Sequence, residues 1–448
     1  DLAGKKFKGI NSDNFNGAMA VAMDRAATGG GPNRVYFLNT VGLCTVNEKD
    51  RHEVLLKITP LKPWPTIDTY NFLDLAVQNG LAVLSNSDNR ENMDTTTGNL
   101  QVVDIAGKKE LSNLVTGPSR GVAFGPDGKL YAVIGRDVVR YALDAKGVLT
   151  EEAKFITGLV EPRRIRFDAQ GQLYVGDRGM LHQVKVFDAA GKLLRTIGKP
   201  GGPQLGKYDE ERMDNPGGMA LDPDGRLWVA ESSNVPKRIS IWDAATGKFI
   251  RAIYGATQYG GGGTIDPADK SIFYYPHGVA PMERAGMAFQ LDWQTGENRL
   301  THIFMRTPMF GRQMAQSWNG FDAKAPASQE YKFNDFDLAF NNRNVPSPHL
   351  ATTTGGHRYL FNRAYRPDQP SHTIIWRWDA ATEDHAVPVA MFGSVGSMFS
   401  ERGEGKIFDQ ADFKDGIRAA KEKHPDASLF LWSDTNSDQK VQPEEVQF

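Results

Sequence analysis

Two stretches decide the fold: Met219-Ala-Leu-Asp222-Pro-Asp-Gly225-Arg-Leu-Trp-Val-Ala230 and, shortly after it, Lys237-Arg-Ile-Ser-Ile-Trp-Asp243-Ala-Ala-Thr-Gly247-Lys248. An apolar strand runs into an aspartate turn. A second strand, Leu-Trp-Val, alternates so that one face can be buried, and a third ends at another aspartate and glycine. Glycine takes the positive-φ position of a hairpin turn, while aspartate accepts from its own downstream backbone and closes it. Alternation with a period of two is the mark of a half-buried strand.

Both phrases recur along the chain. The strand-turn-strand phrase appears again as Val122-Ala-Phe-Gly-Pro-Asp127-Gly128 and Ile165-Arg-Phe-Asp168-Ala-Gln-Gly171-Gln-Leu-Tyr-Val. The corner phrase returns at Asp104, Asp144, Asp188, Asp243, Asp292 and Asp379, at intervals of 40, 44, 55, 49 and 87 residues. Two hairpins in about 45 residues make a four-stranded antiparallel sheet, the blade of a propeller. One such sheet cannot bury both faces, so the blades must stack. The pattern therefore predicts an all-β chain, a β-propeller with blades at 15–60, 68–116, 117–158, 159–204, 213–258, 263–306 and 335–393. That makes seven, with six or eight left open because the end repeats are least regular. The long interval holds an insertion at about 307–334.

Residues 213–254 also resemble the NHL repeat: Asn-Pro-Gly-Gly-Met-Ala-Leu, then Leu-Trp-Val-Ala-Glu, then Lys-Arg-Ile-Ser-Ile-Trp-Asp. The likeness is strong over 117–255 and weaker on either side. It implies a propeller that binds a ligand on one face, rather than a motif-defined catalytic centre.

The totals restrict the partners. Lys and Arg number 52 against 54 Asp and Glu, a formal charge of −2, so no global field favours nucleic acid or an anionic membrane. No apolar run approaches the roughly 20 residues that span a bilayer, and the opening Asp1-Leu-Ala-Gly-Lys-Lys has no apolar signal-peptide core. The single Cys44 lies in an apolar strand and reads as a buried structural thiol. Gly 46 and Pro 24 suit many short strands joined by tight turns.

Beyond about residue 400 the pattern changes. An amphipathic helix is expected over 409–423, stopped by His424-Pro425, then a strand at Leu429–Trp432, giving a division into a propeller (1–400) and a C-terminal segment (401–448) packed on it or completing it. The segment Asp434-Thr-Asn436-Ser-Asp438-Gln-Lys440-Val-Gln-Pro-Glu-Glu445 sets oxygen donors at loop positions 1, 3 and 5, a backbone carbonyl at 7 (Lys440) and a glutamate at 12. Calcium takes about seven oxygens near 2.4 Å, and such a loop wraps them round one point. The loop resembles the EF-hand or dockerin type, which implies structural Ca2+ on Asp434, Asn436, Asp438, Lys440 and Glu445. Position 6, normally glycine, is Gln439, where a left-handed backbone costs on the order of 1 kcal/mol. A site weakened in this way would be filled by millimolar calcium outside cells, so an extracellular or periplasmic location is expected. The abrupt end after the loop is read as a sign that the chain continues in a longer protein.

Six of the nine histidines fall between His277 and His385: His277, His302, His349, His357, His372 and His385. None has the tight spacing of a zinc motif. His277 and His349, in Pro-rich turns, and Tyr275 are the candidates for a catalytic base. His182 reads as structural. Arg120 and Arg163 occupy matching positions near the start of two inner strands and are the candidate ligand-binding pair, suited to a carboxylate or sulfate. Two functions follow. The first is a calcium-bearing binding or scaffold module for a polysaccharide or protein partner. The second is a polysaccharide lyase or related enzyme, with a His or Tyr base and an Arg clamp on the uronate.

Overall fold

The computed structural model describes residues 20–24, 34–39, 42–46, 52–58, 72–87, 97–203, 206–231, 237–255, 263–278, 284–307, 350–361, 372–378, 387–397, 414–438 and 441–448. They form seven antiparallel sheets, each built on four strands in meander order, with one outer strand of the sixth added from a distant part of the chain. The first holds β1 (Ala20–Asp24), β2 (Arg34–Leu38), β3 (Gly42–Val46) and β4 (His52–Lys57); the second β5 (Phe72–Gln78), β6 (Leu81–Ser87), β7 (Gly98–Asp104) and β8 (Lys109–Thr116). The third holds β9 (Ser119–Phe124), β10 (Leu130–Ile134), β11 (Asp137–Leu143) and β12 (Leu149–Ile156). The fourth holds β13 (Pro162–Phe167), β14 (Leu173–Asp177), β15 (Gln183–Phe187) and β16 (Leu193–Ile197). After the short β17 (Gly206–Lys207) comes the fifth, with β18 (Pro216–Leu221), β19 (Arg226–Glu231), β20 (Lys237–Asp243) and β21 (Phe249–Gly255). The sixth is β22 (Thr264–Ile265), β23 (Ile272–Gly278), β24 (Arg284–Leu291) and β25 (Asn298–Thr307), with β17 as its outer strand. The seventh is β26 (Leu350–Thr354), β27 (His357–Phe361), β28 (His372–Trp378) and β29 (Val387–Ser394), extended by β30 (Leu429–Ser433) and β31 (Val446–Gln447). This is the β-propeller class with seven blades, and the four-strand meander of each sheet falls at the place its repeat predicts, with β17, β30 and β31 added outside the predicted ranges. The insertion expected at 307–334 and the corner at Asp379 lie outside the described residues, apart from Thr307.

The corners form as the residue types dictate. Asp222 donates its N–H to the Arg226 carbonyl at 3.0 Å, and Gly225, at φ 76°, donates back to the Asp222 carbonyl at 3.1 Å. Asp222 Oδ1 accepts from the N–H groups of Asp224 and Arg226 at 3.0 and 2.9 Å. Asp144, Asp168 and Asp188 repeat this pattern with Gly147, Gly171 and Gly191. The second carboxylate oxygen ties the turn to the strand that follows. Asp222 Oδ2 accepts from Trp228 Nε1 at 2.8 Å, Asp127 Oδ2 from the Tyr131 hydroxyl at 3.0 Å and Asp266 Oδ2 from the Tyr274 hydroxyl at 2.6 Å. The tyrosine or tryptophan in each Leu-Tyr-Val phrase is thus a fastening as well as a core side chain.

The chain divides into two compact units, residues 1–200 with 215–231 and 241–250, and residues 201–214, 232–240 and 251–448. In the first, the inner strands β1, β5, β9, β13 and β18 lie side by side in chain order. Apolar side chains fill the space between successive sheets: Leu38, Leu43, Leu75 and Leu84 between the first two, Val102, Val122, Leu130 and Tyr141 between the next, and Tyr131, Val133, Ile165 and Val175 between the third and fourth. Inner strands approach closely where a side chain is missing. A Cβ on Gly121 would meet the Arg163 carbonyl at 2.7 Å and Arg164 Cα at 2.8 Å. In the second unit, Met287, Phe289, Leu300 and Ile303 pack with Tyr208, and Tyr274, Ala288, Leu360 and Trp378 form a further core. The predicted helix is observed as α1 (Lys414–Glu422), with residues 409–413 outside the described set, and its Ile417 is fully buried.

Candidate functional site

The inner edge of a first strand has no further strand to pair with, so its backbone groups need other partners. On β9 that need assembles a charged cluster. Asp74, on β5 and fully buried, accepts from the Val122 N–H at 3.1 Å. Arg166, on β13, donates to the Val122 carbonyl at 3.3 Å and to both Asp74 oxygens at 3.2 and 3.3 Å. Arg164 Nη1 stands 2.6 Å from Asp74 Oδ1. Burial opposes the charge on Asp74, but the two guanidiniums and the Val122 N–H hold its carboxyl below the ordinary value. The arginine side chains remain 19% and 25% exposed above a carboxylate that is sealed.

The structure places the two arginines singled out from sequence on β9 and β13 beside this cluster but outside it, Arg120 two residues before Val122 and Arg163 one before Arg164. Arg120 is 1% exposed, and Arg163 is 7% exposed with Nη2 2.6 Å from Glu161 Oε1. The pairing of β13 with β14 shifts register between Pro162 and Arg164, so the strand alternation is broken at Arg163, which turns to Glu161 while Arg164 and Arg166 both reach Asp74. The sequence Pro162-Arg-Arg-Ile-Arg offers an arginine to either face, and Asp74 is 92 residues from Arg166. No local pattern names it.

In the C-terminal loop Glu445 is 4% exposed and turned inward. Its Oε1 accepts from the Thr435 N–H and hydroxyl at 2.8 and 2.9 Å, and its Oε2 from Trp432 Nε1 at 3.0 Å and the Gln442 N–H at 3.4 Å. Asn436 Oδ1 accepts from the Asp438 N–H at 3.0 Å, and Asp438 Oδ2 from Gln442 Nε2 at 2.6 Å. The buried Gln442 side-chain oxygen faces the Glu445 N–H across a capping box without completing a hydrogen bond to it. Gln442 stands at loop position 9, a ligand position in this loop type; its place in the spacing was the signal that sequence reasoning passed over. The left-handed residue of the described loop is Ser437, at φ 62°, while Gln439 and Lys440 lie outside the described residues. The donors of Asp434, Asn436, Asp438, Gln442 and Glu445 are all oxygen, the chemistry calcium takes. Among the described residues, no three His, Cys, Asp or Glu side chains are gathered as a metal-holding group. Closing this loop on an ion therefore requires its acidic arm to draw in and Glu445 to exchange some of its hydrogen bonds.

The candidate bases fare differently. His349 and the side chain of His277 lie outside the described residues, as do His385 and the side chain of His372. Tyr275 sits in an aromatic group, stacked on Phe273 at 5.6 Å and edge-on to Phe289 at 6.4 Å. A histidine, a tyrosine and an arginine do meet elsewhere. His302 packs against Trp378 at 4.8 Å, Arg358 lies over the same indole at 5.3 Å and pairs with Asp266 at 3.0 Å, and Tyr274 donates to Asp266. Burial, then the bond to Asp266, pushes the Tyr274 phenol far above its ordinary value. This Asp266–Tyr274 contact repeats the corner fastening of Asp222 with Trp228, so the group belongs to the scaffold. His182, 3% exposed, accepts from the Asn215 N–H at 2.9 Å and is structural. Cys44 is buried, and burial pushes its thiol up to about 11.

No family model matches the chain, and no curated protein matches it. Among solved structures it is similar to a gluconolactonase from Xanthomonas campestris (14% identity, 44% of this chain and 65% of that one, TM-score 0.32), so the match spans just under two thirds of that enzyme. It is also similar to the nidogen/laminin complex (15% identity, 60% and 92%, TM-score 0.37) and to a calcium-binding regucalcin from Agrobacterium tumefaciens (18% identity, 44% and 64%, TM-score 0.33). Likeness at this level carries no functional argument. The propeller assignment stands on the seven meander sheets of the chain itself.

Proposed function

We propose that this chain is an NHL-type propeller acting as a calcium-stabilised binding module, with an acidic polysaccharide as its partner and an extracellular or periplasmic setting. The observation that carries the reading is the C-terminal loop. Five oxygen-bearing side chains, Asp434, Asn436, Asp438, Gln442 and Glu445, stand at ligand positions of a twelve-residue loop between β30 and β31, the last strand of the seventh sheet. Calcium there would brace a sheet edge, a structural task. Binding is favoured over catalysis because Tyr275 lies in an aromatic stack and the Tyr274 group is consumed by the scaffold.

Calcium titration of the chelator-treated protein, read by thermal unfolding and by Trp432 fluorescence, tests the metal. A binding ligand raises stability by mass action, so the melting temperature should climb through the millimolar range and Glu445→Gln should flatten the climb. No change at 10-fold millimolar excess removes the calcium. For the partner, the protein is passed over immobilised polygalacturonate and alginate while free polymer is monitored for the absorbance of unsaturated ends. Retention with a flat absorbance trace is expected. A rising trace would make the chain a lyase and overturn the binding reading.

A further inference from the structure

We propose that Thr435 sets the calcium affinity of the C-terminal loop, because its hydroxyl occupies a lone pair of Glu445 that the ion must take. The inference rests on the calcium-binding reading above and adds to it the residue that governs how tightly the loop closes.

An ionised carboxylate only accepts, with about four lone-pair directions shared between its two oxygens. Four donors stand against those of Glu445. Oε1 accepts from the Thr435 N–H at 2.8 Å and from the Thr435 hydroxyl at 2.9 Å. Oε2 accepts from Trp432 Nε1 at 3.0 Å and from the Gln442 N–H at 3.4 Å. The carboxylate is saturated, so a cation reaches it only by displacing a donor.

The four donors differ in how they can leave. Trp432 is fully buried, and its indole has no room to swing away. The N–H groups of Thr435 and Gln442 belong to the backbone, and Gln442 caps the 3-10 turn Pro443–Glu445 that carries the carboxylate itself. Its bond is the longest of the four, but breaking it means moving that turn. The hydroxyl needs only a change of χ1 rotamer. Thr435 is exposed, so the turned hydroxyl is received by water. Its departure frees one lone pair of Oε1 and leaves three bonds to keep Glu445 aimed. A hydrogen bond to a charged acceptor is stronger than one between neutral groups. The Thr435 hydroxyl is therefore a standing competitor of the ion.

A role confined to fastening the loop gives the opposite sign. If the hydroxyl only held Glu445 in place, its loss would loosen the carboxylate and weaken calcium binding. Competition makes the same loss tighten it.

The test is calorimetric titration of calcium into the chelator-treated full chain, native, Thr435→Val and Thr435→Ser. Valine keeps the shape of the side chain without the hydroxyl, and serine keeps the hydroxyl. Thr435→Val should bind calcium more tightly by about 3-fold or more, the scale of one charge-assisted hydrogen bond partly replaced by water, and Thr435→Ser should match the native chain. Circular dichroism and the metal-free melting curve check that each variant is folded; if Thr435→Val is not, Thr435→Ala replaces it under the same criterion. Calcium binding by Thr435→Val that is equal to or weaker than that of the native chain overturns the inference and leaves the calcium loop standing. Tighter binding by Thr435→Ser, equal to that of Thr435→Val, also overturns it, since the hydroxyl would then not be the competitor. No calcium uptake by any of the three removes the loop reading and the inference together.

Discussion

Asp222 shows how one side chain sets a turn and a pH limit together. Burial opposes its charge, but bonds from Trp228 Nε1 and from the Arg226 backbone and guanidinium prevail and bring the carboxyl down to about 2. Its folded-state value lies below the ordinary Asp value of about 3.9, so its contribution is fully present above pH 4 and is lost as pH falls toward 2. Asp222→Asn should lower stability at pH 7 by about 1 kcal/mol, the scale of a lost charge-assisted bond, and should flatten the acid limb of the melting temperature between pH 4 and 2. Cys44 makes the opposite case. Fully buried, with its thiol pushed up to about 11, it should resist iodoacetamide at pH 8 in the native protein and react at once in urea. Both residues were legible in sequence, Asp222 from Asp-Pro-Asp-Gly and Cys44 from its apolar flanks, because each is governed by near neighbours. Asp74 was not, since its meaning comes from Val122, Arg164 and Arg166 on two other strands.

Between strands, the decisive contacts are those of the inner edge. Gly121 lets β9 approach β13 so closely that any Cβ meets backbone, which cannot step aside. Gly121→Ala should therefore destabilise by about 3 kcal/mol, the upper range for overpacking, as measured by urea unfolding. Asp74→Asn removes the carboxylate but leaves its guanidiniums in place, and should cost about 3 to 5 kcal/mol, the penalty for breaking a buried ion pair from one side. Sequence periodicity located these strands well but could not phase them. A shift of one residue separates Arg163, buried beside Glu161, from Arg164 in the cluster, and Pro162-Arg-Arg-Ile-Arg satisfies both readings. The same limit applied to Tyr274 and Tyr275: the candidate base packs among aromatics, while its neighbour fastens a corner.

At the scale of the molecule, the repeat told nearly all. Six corner phrases and the hairpins between them became seven sheets, and the corners among the described residues close through bonds only two to five residues long. What the repeat could not show was that the sixth sheet takes an outer strand from Gly206–Lys207 and that the seventh is lengthened by β30 and β31, since strands so short or so distant carry no period of their own. Removing residues 429–448 should expose the edge of β29 and lower the melting temperature by about 1 to 2 °C, the effect of roughly 1 to 2 kcal/mol in a chain this size; scanning calorimetry of the truncated protein checks it.

The meander order of the sheets has a consequence for biogenesis. Because each blade is assembled almost wholly from contiguous chain, its hydrogen bonds can form as the segment leaves the ribosome, without waiting for remote partners. The sixth and seventh sheets, which borrow strands from a distance, would be the last to mature, and pulse-labelled translation intermediates should acquire protease resistance from the second sheet onward in steps of one blade.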